Sequence, residues 1–333
     1  MNNIHTTVSR RESIRRCCGC LGLTIALLCA SLASAQQAPQ VGDANRPQEK
    51  KRAGSYPAVL PGAEVKVYKK IGAVELNMYI FSPHDHKASD KRPAIVFFFG
   101  GGWKSGSPNQ FLEHCKYLAS RGMVAMTADY RVLTRHGTKA VSCVADAKSA
   151  VRWIRVHAAE LGIDPQRVAA GGGSAGGHLA ACTGVIVGFD ESSENTKISS
   201  RPNAMVLFNP ALVLANIDNR SPINPRQADN LSERMGVPAE KLSPYHHVAG
   251  GAPPTVIFHG QADTTVKFWS DEAFTTAMKK AGNRCELHGY EGQQHGFFNY
   301  GRGGNKAYKS TIRELDKFLV SLNYLEGEPR DER

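Results

Sequence analysis

The chain has 333 residues, 41% of them hydrophobic and 21% charged, a balance that excludes a disordered or fibrous protein and suits one catalytic domain with appendages. The formal charge of +11 is spread along the chain. Apart from Lys50-Lys51-Arg52 there is no dense basic run, and none carries interleaved aromatics, so nucleic acid is not an expected partner, whereas anionic polymers or cell-wall material are compatible with such a surface.

The N-terminus reads as an export signal, residues 1–35. Arg10, Arg11, Arg15 and Arg16 precede the apolar run Leu21 to Leu32, which ends at Ala33-Ser34-Ala35. That run falls short of the ~20 apolar residues a membrane helix needs, so cleavage after Ala35 is expected over an uncleaved anchor, and no stable membrane span is expected. Ser9 to Arg15 is similar to a twin-arginine signal, with Ser13 where that motif prefers Phe. The location expected is therefore periplasmic or secreted. Cleavage removes four of the eight cysteines and lowers the net charge to +8. The remaining Cys115, Cys143, Cys182 and Cys285 are widely spaced, which argues against zinc and permits a disulfide without identifying one. Four small core residues is an equally good reading.

Residues 36–61 are polar and rich in Pro, Ala and Gln, as a flexible linker is. The catalytic domain is expected over 62–324, with 325–333 as a C-terminal tail. From Glu64, Val65, Val67, Val74, Leu76, Met78 and Ile80 alternate with more polar residues and predict an antiparallel pair. Ala94 to Phe99 is a continuous apolar run, the mark of a strand covered on both faces, and similar runs recur at 124–128, 167–170, 204–208 and 255–258. Between them, 111–121, 141–158, 267–281 and 306–322 carry helical periodicity. This alternation predicts a mostly parallel α/β sheet flanked by helices. Ala211 to Gly251 breaks it, with four prolines and weak periodicity. The segment is read as a small lid shaping a substrate pocket, the alternative being a plain surface excursion.

Chemistry concentrates at Arg167 to Ala180. Gly172-x-Ser174-x-Gly176 has nucleophile-elbow spacing, between a buried strand and a helix of small residues. The glycines are needed where side chains would strike neighbouring backbone, and the helix directs its positive end at the serine. Five residues alone also fit a structural Gly-rich turn; the flanks and partners favour Ser174 as nucleophile.

A serine hydroxyl needs a base. His295 is the candidate, in the polar loop Tyr290 to Phe297 after the strand-like 284–290. His178 is closer in sequence but lies four residues into the helix, where packing or orienting the elbow is expected of it. The carboxylate that holds the imidazole is expected to be Asp263, at the end of the strand running through Phe258. Asp271 and Glu272 are rivals that fall inside the next helix. The order Ser, Asp, His is the α/β-hydrolase order. Gly100-Gly101-Gly102 follows the first buried strand, and the N–H groups of Gly101, Gly102 and Ala175 are the expected oxyanion hole. A phosphate loop is the rival reading, but Trp103-Lys104-Ser105 lacks its Lys-Ser/Thr spacing. Trp103, Asn209 and Phe297 are candidate pocket residues, each also compatible with a core position.

Together these segments resemble the α/β-hydrolase superfamily, in particular its hormone-sensitive-lipase-like and acetyl-esterase branch, with its exported bacterial carboxylesterases and acetylxylan or feruloyl esterase-like proteins. Asp129-Tyr130-Arg131, the helix around Asp146, Asp164 to Val168 and Gly292-x-x-His295-Gly296-Phe297 also carry the likeness, which covers Glu64 to Leu322. It implies an α/β-hydrolase fold and a serine esterase acting through an acyl-enzyme on an ester substrate, such as an acetylated or feruloylated polysaccharide. No metal or organic cofactor is implied. Phe99 stands where the family has His before the glycines, and Gly173 and His178 depart from the lipase-like form, which favours small carboxylesters and polysaccharide esters over lipids. An amide hydrolase on the same triad and a secreted binding module without activity are the alternatives.

Overall fold

The computed structural model describes residues 56–222 and 231–330. The export signal, and the linker up to residue 55, lie outside them. The predicted opening pair forms as β1 (Glu64–Ile71) and β2 (Val74–Phe81), antiparallel. There follow β3 (Arg92–Phe98), α1 (Leu112–Ser120), β4 (Val124–Ala128), the single turn α2 (Leu133–His136) and α3 (Ala140–Val156). Next come β5 (Ile163–Gly173), α4 (Ala175–Val185), β6 (Ala204–Phe208) and α5 (Leu231–Met235). The chain continues through β7 (Thr255–Gly260), α6 (Phe268–Lys280), β8 (Cys285–Tyr290) and α7 (Lys306–Ser321).

The strands form one sheet of eight in the order β1-β2-β4-β3-β5-β6-β7-β8. Pairings from β4 to β8 are parallel, and β2 joins β4 antiparallel. This is the α/β-hydrolase fold expected from the sequence. The two-residue side-chain period sorts each central strand between two cores. In β3, Ala94, Val96 and Phe98 face the core built with α3, α4 and α6, while Ile95 and Phe97 face the one built with α1 and α7. Both faces are covered, which is why these strands read as unbroken apolar runs rather than alternating ones.

Two boundaries differ from the sequence reading. Ordered packing starts before Pro61: Leu60 is buried, and the Arg135 guanidinium lies 4.4 Å from the centre of the Tyr56 ring. At the other end the tail is partly core, because Leu325 is buried and Arg121 donates to the carbonyls of Glu326 and Gly327. Tail polarity concealed the one apolar side chain that docks. The four described cysteines are free and buried, as small core residues.

Candidate active site

The nucleophile strand β5 sits mid-sheet between β3 and β6, and its end is where the chain must turn sharply into α4. Ser174 takes up that turn at φ 54, ψ −119, a strained conformation for a residue with a side chain. The neighbouring glycines make the turn feasible. A Cβ on Gly176 would overlap the Phe98 carbonyl, and one on Gly172 would overlap the Gly176 backbone. The serine is then pinned by its own N–H, which donates to the Phe208 carbonyl at 2.9 Å, and by its carbonyl, which accepts from the His178 N–H at 2.9 Å.

Ser174, Asp263 and His295 come together from three separate chain ends. His295 Nε2 lies 2.9 Å from Ser174 Oγ, and its Nδ1 lies 2.6 Å from Asp263 Oδ2. The Asp263 carboxylate is buried, while the His295 side chain is 25% exposed, which leaves the imidazole reachable from solvent. Oδ1 of Asp263 accepts from the N–H groups of Thr265 at 2.7 Å and Val266 at 3.0 Å, in the loop after β7. Burial raises the Asp263 pKa, but hydrogen bonds from His259 and His295 outweigh it and hold the carboxyl well below the usual range. The rival Asp271 is also buried, yet it bonds His259 at 2.6 Å and not His295.

A cavity of ≈ 330 Å³ opens over Ser174. Gly101, Gly102 and Ala175 line it, so the expected oxyanion donors stand at its floor beside the nucleophile. Gly101 has φ 127, and a Cβ there would overlap the Ser105 carbonyl, so this position cannot carry a side chain. Phe99, in place of the family's His, is buried and stacks on Tyr130 at 4.1 Å. Tyr130 donates its hydroxyl to the Phe99 carbonyl at 2.6 Å, and Gln110 accepts from the Gly100 N–H at 2.6 Å. These two bonds steady the glycine loop. The Asp129-Tyr130-Arg131 motif thereby gains a reason: Arg131 fastens on the buried Asp146 of α3 at 2.7 Å and holds the segment that carries Tyr130.

Trp103 and Asn209 line the cavity. The Trp103 indole N–H donates to His178 Nδ1 at 3.1 Å, and His178 Nε2 donates to the Leu242 carbonyl at 2.7 Å. His178 thus ties the elbow helix to both the glycine loop and the insertion; burial pushes its pKa down to about 4, which keeps it neutral. Asn209 accepts from the Gly296 N–H at 3.0 Å and so anchors the loop next to His295. Phe297 is buried against Tyr290, and its neighbour Phe298 lines the cavity. Of the Ala211 to Gly251 insertion, Leu231 and Arg234 of α5 line the cavity, as a lid does. Gln110, Phe298 and Arg302 carry no motif; only the three-dimensional arrangement reveals their place beside the nucleophile.

Comparisons with known proteins agree with this geometry. The BD-FAE family model matches residues 78–278, and a second model, for the dienelactone hydrolase family, matches 238–321. The chain is 28% identical over 217 residues to a probable isoprenylcysteine alpha-carbonyl methylesterase of Arabidopsis thaliana, covering 61% of this chain and 45% of that protein. It is 28% identical over 218 residues to esterase LipC of Mycobacterium tuberculosis, covering 62% and 53%. The chain therefore spans about half the length of these curated relatives. Among solved structures, apo Thermogutta terrifontis esterase 2 is 55% identical, with TM-score 0.78 and coverage of 82% of this chain and 100% of that one. The same esterase phosphonylated by sarin matches at 55% identity and TM-score 0.80, with the same coverage. With the glycine elbow, the strand order and the matched span in agreement, the chain belongs to the BD-FAE family of α/β-hydrolases.

Proposed function

We propose that the protein is a serine carboxylester hydrolase, with Ser174 as nucleophile, His295 as general base and acid, and Asp263 as the group that orients His295. The reading rests on one observation above all, the chain of contacts from Ser174 Oγ through both nitrogens of His295 to Asp263, at 2.9 and 2.6 Å. In this mechanism His295 Nε2 takes the hydroxyl proton as Oγ attacks the ester carbonyl carbon. The carbonyl oxygen becomes an oxyanion and meets the N–H groups of Gly101, Gly102 and Ala175, each such donor being worth about 10²–10³-fold in kcat in well-studied enzymes. Collapse breaks the bond to the alcohol oxygen, which leaves with the proton from His295, and Ser174 is acylated. Water, deprotonated by His295, attacks the acyl carbon; the second collapse releases the acid and returns the proton to Ser174.

That the T. terrifontis esterase is found phosphonylated by sarin supports covalent chemistry, which we assign here to Ser174, and the propionate complex of that enzyme supports a short acyl group. A cavity of ≈ 330 Å³ is at the small end of ligand sites and suits such a group better than a long lipid chain. We therefore infer short-chain acyl esters, such as those on acetylated polysaccharides, as the substrate class, with feruloylated polysaccharides as the bulkier alternative, and export as the location, given the Arg-flanked apolar run before Ala35. Ser174→Ala is expected to lower turnover of p-nitrophenyl acetate by at least ~10³-fold and to abolish fluorophosphonate labelling. Wild-type turnover by Ser174→Ala would overturn the assignment. Export is checked by the N-terminal sequence of the mature protein, expected to begin at Gln36.

A further inference from the structure

A second imidazole reaches the same oxygen of Asp263 that His295 contacts. His259, in β7, has Nε2 3.2 Å from Asp263 Oδ2 and 3.1 Å from the Val266 carbonyl, and Nδ1 2.6 Å from Asp271 Oδ2 in α6. The His259 and Asp271 side chains are fully buried. Each nitrogen of this ring faces oxygen atoms only. At Nε2 both neighbours are acceptors, an ionised carboxylate and a backbone carbonyl, so a lone pair there would be repelled from two directions. At Nδ1 the neighbour is a carboxyl group that either accepts an N–H or donates an O–H. The pair His259 and Asp271 therefore shares one proton on that side and keeps a second, fixed one on Nε2.

We infer that His259 and Asp271 are positioning residues for the catalytic carboxylate: Nε2–H of His259 donates permanently to Asp263 Oδ2, extending the chain Ser174, His295, Asp263 by two buried groups. The inference rests on the esterase reading of that chain. Asp263 then receives four N–H donors, from His295 and His259 on Oδ2 and from Thr265 and Val266 on Oδ1. A carboxylate so surrounded has one orientation, and its second oxygen cannot rotate away from His295. Electrostatics agree with the geometry. Burial lowers the His259 pKa, but Asp271 and Asp263 outweigh it and push it up to about 10. Burial raises Asp271, whose Oδ1 has no hydrogen-bond partner, so a lone negative charge there is costly and the shared proton offsets it. The remaining groups around the pair are neutral: the Ser270 hydroxyl, which eases the charge on Asp271, Phe268, edge-on to His259, and the Cys285 thiol, whose charge burial and Asp271 both oppose.

A purely structural His–Asp pair would set stability alone; here it is expected to set the pH profile as well. Because a buried aspartate without its partner would endanger folding, the pair is replaced together, in His259→Phe/Asp271→Leu, leaving no orphan charge. With p-nitrophenyl acetate, this variant is expected to lose 10- to 100-fold in kcat, on the scale of a misplaced catalytic group, with KM changed less than about threefold. Losing a donor makes Asp263 more basic toward His295, so the acid limb of kcat/KM moves to higher pH. His259→Gln/Asp271→Asn, which keeps an N–H near the Nε2 position and leaves no orphan carboxylate, is expected to recover most of kcat. An unchanged kcat per titrated active site, with an unchanged acid limb, overturns the inference. Independently of any variant, ¹⁵N-histidine NMR of the wild-type protein is expected to show His259 Nε2 protonated throughout pH 5 to 9; loss of that proton within the range also overturns it. The NMR result does not depend on activity, so an active Ser174→Ala would sink the esterase reading while leaving the hydrogen-bond assignment to be judged separately.

Discussion

Asp263→Asn changes one atom in a site where all four partners are donors. A carboxylate accepts everywhere, whereas an amide must place its NH₂ against two N–H groups whichever way it turns. Facing the loop, the NH₂ would meet the backbone N–H groups of Thr265 and Val266, which cannot give up their hydrogens, at a cost of ~1–3 kcal/mol for each donor left unsatisfied. Facing the imidazoles, it meets His295, which can change tautomer, and His259, whose Nε2–H can lean on the Val266 carbonyl 3.1 Å away. The second orientation is cheaper and is the one expected. It places the His295 proton on Nε2, pointing at Ser174 Oγ, so the base has no lone pair for the serine proton. The expected loss in kcat is about 10⁴-fold, as for the corresponding change in other serine hydrolases, or roughly 5 kcal/mol of barrier. The assay is p-nitrophenyl acetate turnover across pH 6 to 10, with near-UV circular dichroism reporting the fold. Residual activity should climb with hydroxide, which can remove the serine proton without the imidazole. A kcat within tenfold of wild type, with the same pH profile, would refute the tautomer argument.

Two further substitutions test how the surroundings support the triad. His114 is buried among Phe111, Phe208, Phe298 and Tyr308 with neither nitrogen hydrogen-bonded, and burial pushes its pKa down to about 3. The unfolded chain, at ~6.5, takes up this proton first, so the stability linked to neutral His114 is complete above that pH and falls as the pH drops toward 3. At pH 4.5 this amounts to about 3 kcal/mol. His114→Phe should therefore lose about that much less stability than wild type between pH 7 and 4.5 in urea unfolding, and equal losses would show that His114 is solvated. Asn209→Ala removes the acceptor of the Gly296 N–H next to His295, and should cost ~1–3 kcal/mol of stability and lower kcat ~10-fold or more with little change in KM. Unchanged kcat would mean the His295 loop is held by Arg302, which donates to the His295 carbonyl at 3.1 Å.

The fold was legible because its signals are local. Strands covered on both faces show as apolar runs, and the elbow shows as glycines spaced around Ser174, since packing against Phe98 and the Gly176 backbone permits nothing larger. The candidates Ser174, Asp263 and His295 were read through position, each just past a strand or in a polar loop, and the structure brings them within hydrogen-bond distance. That same reasoning set Asp271 aside because it lies in a helix, and so missed its contact with His259, which depends on how β7 and α6 pack. His259, just past the apolar run 255–258, carries no sequence signal of its own. The replacement for the family's His before the glycines was invisible for a similar reason: Tyr130 and Gln110 reach that loop from 31 and 10 residues away in sequence.

The positions of the site residues follow from how the sheet ends. Past the last paired residues of β5, β6 and β7, the next backbone N–H still reaches the neighbouring strand: Ser174 donates to the Phe208 carbonyl, Asn209 to that of Phe258, and Gln261 to that of Tyr290. The nucleophile, the loop anchor and the turn leading to Asp263 are therefore each registered against the strand next to them by one more rung of the ladder. Ala262 then donates to the Gln293 carbonyl at 3.1 Å and ties the acid loop to the histidine loop. Since these bonds are between backbone groups, side-chain substitutions leave them in place. Replacing Asp263, His259 or Asn209 should thus disturb protonation and orientation at the site while the sheet edge that brings Ser174 and His295 together persists, which is what makes activity and pH profile, rather than folding alone, the measurements that discriminate among their roles.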